Sequence, residues 1–562
     1  MSPESSNFPI TRHSAWKVWS NPIFRRYCRS RLRWQGLGVG VLLALLISGF
    51  IVGMSNSIGI HQEMTPSDSA RPAVIALLVF QSLILFVLGT AQVAGGMTAE
   101  RDEAVIDYQR LIPMSPLPKV LGYLFGLPVR EYVMFLVTLP FTAWCLWRGG
   151  ISWHVWLPLY GVMFSSTLLY HFTGLLTGTV VKNRRWAFLT SIGLVFLLYT
   201  VIPQAAKFGL VFFKYLTITP VYMESLPYLL PKTAGAAMKT VQNLMPTVKF
   251  FNLDFSESVF TWFSQGGLVL TFIIMLCRKW RRAESHLLGK VWAAGFFVWV
   301  QILFLGNALP LIDSGSLFPS RGFSRMVRFL PNWKPDPAEA VLMSGIYGFV
   351  TMALIYILAT IITPSADHQI RGWRRARKQG ETSLPFLSDA STAFWSVLVM
   401  ALTGAGGWFV FTRALVESRW FPGHEVPLET FGYFAAVLLG GGIGFQALLE
   451  TKGGRAVGLT AIFVGVVPIM IGAVLGPIDE RLIPAASWLI GISPVSMPFY
   501  ASGTLLSLAE LPAEAARAVP RAFYFWLFVS LLVSAWLVVR LWAARKARAA
   551  KTLTTHTDGN LQ

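Results

Sequence analysis

Apolar runs of roughly 20 residues recur about twelve times along this chain, and that is the length a helix needs to cross the hydrocarbon core of a bilayer. The runs centre on Ala44, Leu83, Phe135, Thr167, Leu197, Val269, Trp299, Leu354, Leu402, Leu438, Val467 and Leu531. Of the 562 residues, 54% are apolar and only 13% charged, a balance that excludes an ordinary water-soluble protein. The expected fold class is all-α: a polytopic membrane protein with about twelve transmembrane helices. The run around Phe135 is the least clean, because Arg130 and Glu131 fall near its start. They either pair with each other at the interface or serve in transport, and pairing is the simpler reading.

A formal charge of +20 would suit nucleic acid if the basic residues formed one face. They lie instead in short clusters between apolar runs, so no nucleic-acid partner is expected. With a cytoplasmic N-terminus, the inside segments carry Arg101, Arg110 and Lys119; Lys182, Arg184 and Arg185; and Arg278 to Lys290. Further on come Arg371 to Lys378, Lys452 and Arg455, and Arg540 to Lys551. Every second loop is basic, which places both termini on the cytoplasmic side of a bacterial-type inner membrane. Residues 1–35 turn basic from Lys17 onward and carry Trp16, Trp19, Phe24 and Tyr27 between the charges, as an amphipathic interfacial helix would. This opening does not fit a cleaved signal peptide, so the first span is expected to remain as an anchor. Cys28, Cys145 and Cys277 have no paired spacing, and neither a disulfide nor a metal is expected.

Two long exterior segments stand about half the chain apart and open alike, ITPVYM at Ile218–Met223 and ISPVSM at Ile492–Met497. The basic turns KNRR from Lys182 and ETKGGR from Glu450 keep nearly the same offset. The expected organisation is therefore two six-span repeats. Residues 36–285 form the first transmembrane domain, residues 286–545 the second, and residues 546–562 a cytoplasmic tail. The glycine run Gly440–Gly444 inside a span suits close helix packing, with a hinge as the lesser reading.

No phosphate-binding GxxxxGK[ST] loop occurs, and no HExxH, GxSxG or paired-carboxylate pattern is present. These absences leave no catalytic, cofactor-binding or metal residues to nominate, and the chain reads as noncatalytic. Span centres almost without acids weaken an ion-coupled carrier reading, because such carriers need an intramembrane carboxylate. His154 and His171 are read as packed or interfacial side chains.

The one polar stretch that breaks this pattern is Met97–Lys119, MTAERDEAVIDYQRLIPMSPLPK. It is expected to form a surface helix of about three turns that ends at Pro113, Pro116 and Pro118. Val105, Ile106, Gln109 and Ile112 fall on one side, and Asp102, Glu103, Asp107 and Arg110 on the other.

This stretch resembles the cytoplasmic signature of the type-2 ABC exporter permeases, roughly E-R-E-x-G-T-L-E-x-L-L-x-T-P-L-S. Glu100, Arg101, Asp102, Ile106, Asp107, Pro113 and Ser115 match at the family's spacing, whereas Ala104 and Val105 stand where the family has Gly-Thr, and Arg110 replaces an apolar residue. NPIFRR at Asn21–Arg26 is similar to the family's short pre-membrane element. The resemblance implies a coupling helix that docks on a separate ATP-binding subunit through Glu100, Arg101, Asp102, Asp107, Pro113 and Ser115. It further implies two such ATPase subunits, which would bind the ATP and magnesium themselves, with no cofactor held by this chain. The alternative for the stretch is a solvated loop helix that touches nothing.

In the second half the corresponding loop, Pro364–Thr392, is basic and has no E-R-E start. There Ile370, Trp373 and Arg377 are the candidates for a second contact, on an amphipathic turn with Pro385 near its end. The rival classes are a twelve-span secondary transporter driven by an ion gradient and a non-transport membrane enzyme or scaffold. GMTAER at Gly96–Arg101 is faintly similar to a loop of major-facilitator carriers, without the basic continuation. Spans rich in Phe, Trp and Leu suit a lipid-like cargo, but the same residues face lipid in any membrane protein, and the substrate stays open.

Overall fold

The computed structural model describes residues 17–181, 184–232, 234, 248–320, 333–508 and 513–557. The chain is all-α, and among the described residues the only strands are Val248–Phe250 and Leu253–Phe255. Among the described residues, eleven helices are long and apolar enough to cross a membrane, so this is a multi-pass membrane protein. The run centred on Thr167 is not one of the eleven. It forms a helix of 28 residues, Trp153–Val180, but interior polar side chains such as Ser166, Thr173 and Thr177 dilute its apolar character.

The chain divides into two compact units: residues up to 204 with 213–248 and 254–283, and residues 205–212 with 249–253 and everything from 284 onward. The first unit begins with α1 (Pro22–Arg31), α2 (Trp34–His61) and α3 (Pro66–Asp102). α4 (Val105–Leu111), α5 (Pro116–Gly126), α6 (Val129–Arg148) and α7 (Trp153–Val180) follow. It closes with α8 (Arg184–Phe196), the short α9 (Thr219–Leu229) and α10 (Glu257–Arg281). α2 packs on α3 and α6, α3 on α6 and α7, and α7 on α10, while α9 rests on α3, α7 and α10.

The second unit contains α11 (Lys290–Ser314), α12 (Pro337–Ile362), α13 (Ala366–Lys378), α14 (Phe394–Val416) and α15 (Glu429–Lys452). α16 (Gly454–Leu475), α17 (Ile483–Gly491), α18 (Met497–Leu505) and α19 (Ala513–Thr557) complete it. α11 packs on α12 and α14, α12 on α14 and α15, and α15 on α19, while the short α18 rests on α12, α15 and α19. α19 continues through the stretch expected as a tail from residue 546, as far as Thr557.

Local chemistry sets the helix starts. Thr65, Ser256, Asp336 and Ser365 each cap the helix that follows by accepting a backbone N–H, which satisfies a donor the helix itself leaves unpaired. Burial then distinguishes the spans. α2 leaves Leu42, Leu46 and Phe50 exposed, the mark of a helix facing lipid, whereas α3 buries Val74, Leu77, Leu85 and Val93. In the glycine run, Ser534 Oγ donates to Gly440 O at 2.6 Å, and a Cβ on Gly440 would lie 3.0 Å from Ser530 Oγ. The run lets α15 and α19 approach closely, and it lies within an uninterrupted helix. The Arg130–Glu131 pair forms at 2.9 Å with Glu131 buried, and His171 is packed between Tyr132 Oη at 2.9 Å and Leu85 O at 3.0 Å.

Candidate functional site

Met97–Lys119 is not one surface helix. The last turns of α3 run to Asp102, the chain turns at Ala104, and α4 follows for seven residues. Ala104 has φ +56° and ψ 14°, a left-handed conformation that costs a residue with a Cβ about 1 kcal/mol. Pro116 and Pro118 do not terminate a helix. They lie in the first turn of α5, where a missing N–H costs nothing because that group has no helical partner.

The charged residues divide into two sets. Glu100 is turned inward, with its side chain 14% exposed. It accepts from Arg26, from Tyr27 Oη at 2.7 Å and from Tyr123 Oη at 3.1 Å. Two of these donors come from α1, whose start is fixed by Asn21: its side chain caps Ile23 N at 3.0 Å and donates to Pro118 O at 2.6 Å. Gly122 and Gly126 let α1 approach α5, since a Cβ on either would fall within 3 Å of Asn21 or Tyr27. Beneath lies an apolar cluster in which Tyr123 stacks on Trp280 at 5.3 Å and meets the edge of Tyr27 at 5.8 Å. Burial and the neighbouring carboxylate raise the phenols of Tyr27 and Tyr123 well above their ordinary range, so both remain donors.

Arg101 is likewise turned inward. It donates to Gly178 O at 3.3 Å and Thr179 O at 3.2 Å, the last carbonyls of α7. Arg110 pairs with Asp107 and donates to Lys279 O at 3.3 Å, in the last turn of α10. Lys119 is buried and donates to Gln109 O at 2.6 Å and Ile112 O at 3.0 Å, closing the C-terminus of α4. Burial and nearby Arg110 lower its pKa. Each cation sits where a helix C-terminus carries partial negative charge and unpaired carbonyls. A seven-residue helix does not hold itself together in water; buried Ile106 and Gln109 and the Lys119 clamp hold this one.

What remains outside is acidic and apolar: Asp102, Glu103, Asp107 and Pro113 are exposed, with Tyr108 at 70% and Leu111 at 82%. Of the residues nominated from the signature, Asp102, Asp107, Pro113 and Ser115 lie on this face, whereas Glu100 and Arg101 are half-buried and turned toward α1 and α7. Tyr108 and Leu111 were missed. Their i, i+3 spacing on the side opposite Ile106 and Gln109 was the available signal.

The basic loop of the second unit folds as the full helix α13, not a single turn, and it ends before Gly380 (φ +76°), ahead of Pro385. Ile370, Trp373 and Arg377 do not form its outer face. All three are half-buried, and Arg377 donates to Ala549 O at 3.1 Å while lying over the Trp373 ring. The outer face is Arg371, Arg374, Arg375 and Lys378, with Glu284 bound to Arg371 and Arg375. Beneath α13, Gln369 donates to Glu450 Oε1 at 2.8 Å. Glu450 is fully buried and also bound by Arg545, by Gln446 at 2.6 Å and by Thr392 at 3.0 Å.

Comparison with protein-family models, with curated proteins and with solved structures finds no match to this chain.

Proposed function

We propose that this protein is the membrane-spanning permease subunit of an ATP-driven exporter, working with separate ATP-binding subunits that supply nucleotide and magnesium. The observation that carries the reading is the backbone at Ala104. The family signature that Met97–Lys119 resembles has glycine at this position, and here the residue is left-handed, the conformation glycine adopts most readily. The turn sets α4 apart from α3 and leaves Asp102, Asp107, Tyr108 and Leu111 outward. Acids with an exposed aromatic and a leucine suit a docking contact. The coupling contact is assigned to these residues with Pro113 and Ser115, and Glu100 and Arg101 serve as internal supports.

The two-repeat organisation is supported by the packing within each unit. In both units the first long helix packs on the second and third, the second on the third and fourth, and the fourth on the sixth. The short helices α9 and α18 both carry proline in their first turn, and each rests on the second, fourth and sixth long helices of its own unit. The Thr167 helix fills the fourth place of the first repeat and makes twelve spans. The alternating basic loops support a cytoplasmic position for both termini, in an inner membrane. In the second unit the face offered to an ATPase subunit is Arg371, Arg374, Arg375 and Lys378.

The test is purification from the native membrane in mild detergent. An ATP-binding protein should copurify and be lost, by about tenfold or more, from a Tyr108→Ala, Leu111→Ala double variant that still inserts and folds. Recovery without any ATPase, together with transport that survives ATP depletion, overturns the proposal.

A further inference from the structure

The outer side of α1 is not used by the clamp on Glu100. From Lys17 to Trp34 the chain contains no acid, and Lys17, Arg25, Arg29 and Arg33 are exposed. Two tryptophans bracket this basic face, Trp19 at 68% exposure and Trp34 at 81%. Arg25 Nε donates to Trp19 O at 2.9 Å, which ties the first of them to the helix.

Trp34 opens α2, which exposes Val39, Leu42, Leu46 and Phe50. The basic face is therefore continuous with a span whose exposed residues are apolar, and indoles and arginines are favoured at headgroup depth. The inner side of the same ten-residue helix supplies Arg26 and Tyr27 to Glu100, which precedes the left-handed turn at Ala104 by one helical turn. One short helix thus offers an exposed basic face on one side and holds the helix end that leads into α4 on the other.

We propose that Lys17–Trp34 is a binding surface for anionic phospholipid headgroups, and that its occupancy is transmitted to Val105–Leu111 through the Arg26–Glu100 clamp. Phosphates bound by Arg25, Arg29 and Arg33 hold α1 against the bilayer. With α1 held, Arg26 and Tyr27 keep the end of α3 and the Ala104 turn in place. The proposal rests on the membrane-spanning character of the chain and does not need the ATPase reading of α4.

For the test, the full-length protein is placed in bilayers of phosphatidylcholine alone or phosphatidylcholine with phosphatidylglycerol. Each bilayer carries a trace of the matching headgroup-photoreactive lipid, and crosslinked peptides are mapped. A basic side chain near an anionic surface strengthens attraction roughly fivefold. Crosslinking within residues 17–34 should therefore rise at least about tenfold with phosphatidylglycerol and fall back in R25Q/R29Q/R33Q, none of which touches Glu100. Equal crosslinking by the two lipids overturns the binding surface.

Hydrogen exchange at Val105–Leu111 is the second readout. It should slow in phosphatidylglycerol for the wild type and show no lipid response in Glu100→Gln, which keeps the crosslinking. Exchange that ignores the lipid in the wild type overturns the transmission. Neither measurement includes nucleotide or a partner, so its failure is distinct from failure of the permease reading.

Discussion

The two polar junctions, Met97–Lys119 and Pro364–Thr392, share an inner design and differ in their outer charge. At each junction a carboxylate at a helix end turns inward and is held by an arginine remote in sequence, Arg26 on the half-buried Glu100 and Arg545 on the buried Glu450. Outside, the first junction is acidic because Arg101 and Arg110 turn inward to close α7 and α10. The second is basic because, among the described residues, Glu284 alone pairs with the arginine row of α13. The buried pairs position the short helices, and the cations left over set the sign each surface presents.

The largest effect is expected in the second unit. Arg545→Ala leaves Glu450 buried without its cation, and losing one partner of a buried pair costs about 3 kcal/mol or more. Thermal exposure of the buried thiol Cys145 reads the first unit, and protection of α13 amides reads the second. If only the second falls, the junctions are independent; an equal loss in both breaks the comparison.

Glu100→Ala comes next, at about 2 kcal/mol. It removes the acceptor of Arg26, Tyr27 and Tyr123, and hydrogen exchange along α1 should rise. Retention of α1 protection would show that the apolar cluster alone holds that helix.

The third prediction concerns pH and applies to the second unit alone. His286 and His368 stack at 4.9 Å. His286 sits beside Asp389, which accepts its backbone N–H at 3.2 Å, and its ring meets Ile361 O at 2.9 Å. Glu284, Arg371, Arg375 and Lys290 complete the charged surroundings. Burial lowers both imidazole pKa values, against the raising effect of Asp389. An unfolded histidine binds its proton near pH 6.5, so the folded state binds fewer protons than the unfolded one below that pH. Stability is present above about pH 6.5 and is lost as pH falls through the lowered folded values. Protection of α13 amides should weaken from pH 7.5 to 5.5, and His368→Asn should flatten the profile. A flat wild-type profile removes this difference between the junctions.

The smallest effect is a gain. Ala104→Gly should stabilise the first junction by about 1 kcal/mol, read as slower exchange in α4. A loss of protection would mean that the alanine side chain contributes more than its backbone strain costs.

Much of the fold was legible in the chain. The apolar runs mark their own helices because length and composition decide whether a segment can cross a bilayer. The cap residues and first-turn prolines act locally and are readable in place. The Thr167 run was found as a helix, though it is less apolar than the eleven. At the site, the acids were visible but their directions were not. Periodicity placed Ile106 and Gln109 inside correctly, and it grouped Met97–Lys119 as one helix because nothing in an Ala-Val step announces a left-handed turn. Pro116 and Pro118 look like stops in the sequence, although proline at a first turn is a start. The half-burial of Ile370, Trp373 and Arg377 was not readable, because Arg377 is drawn to a carbonyl of α19, which no local pattern reveals.

The sequence by itself determined that this chain lies in a membrane, roughly where its helices run, and that its charges collect at helix ends, because transfer free energy and helix capping act on neighbouring residues. Only the tertiary structure decided which charges are spent inside. Glu100 turns inward and Glu450 is buried because arginines far along the chain reach them, and a partner of this kind offsets the desolvation of a carboxylate. That choice leaves Asp107, Tyr108 and Leu111 facing outward on one unit and the arginine row of α13 on the other.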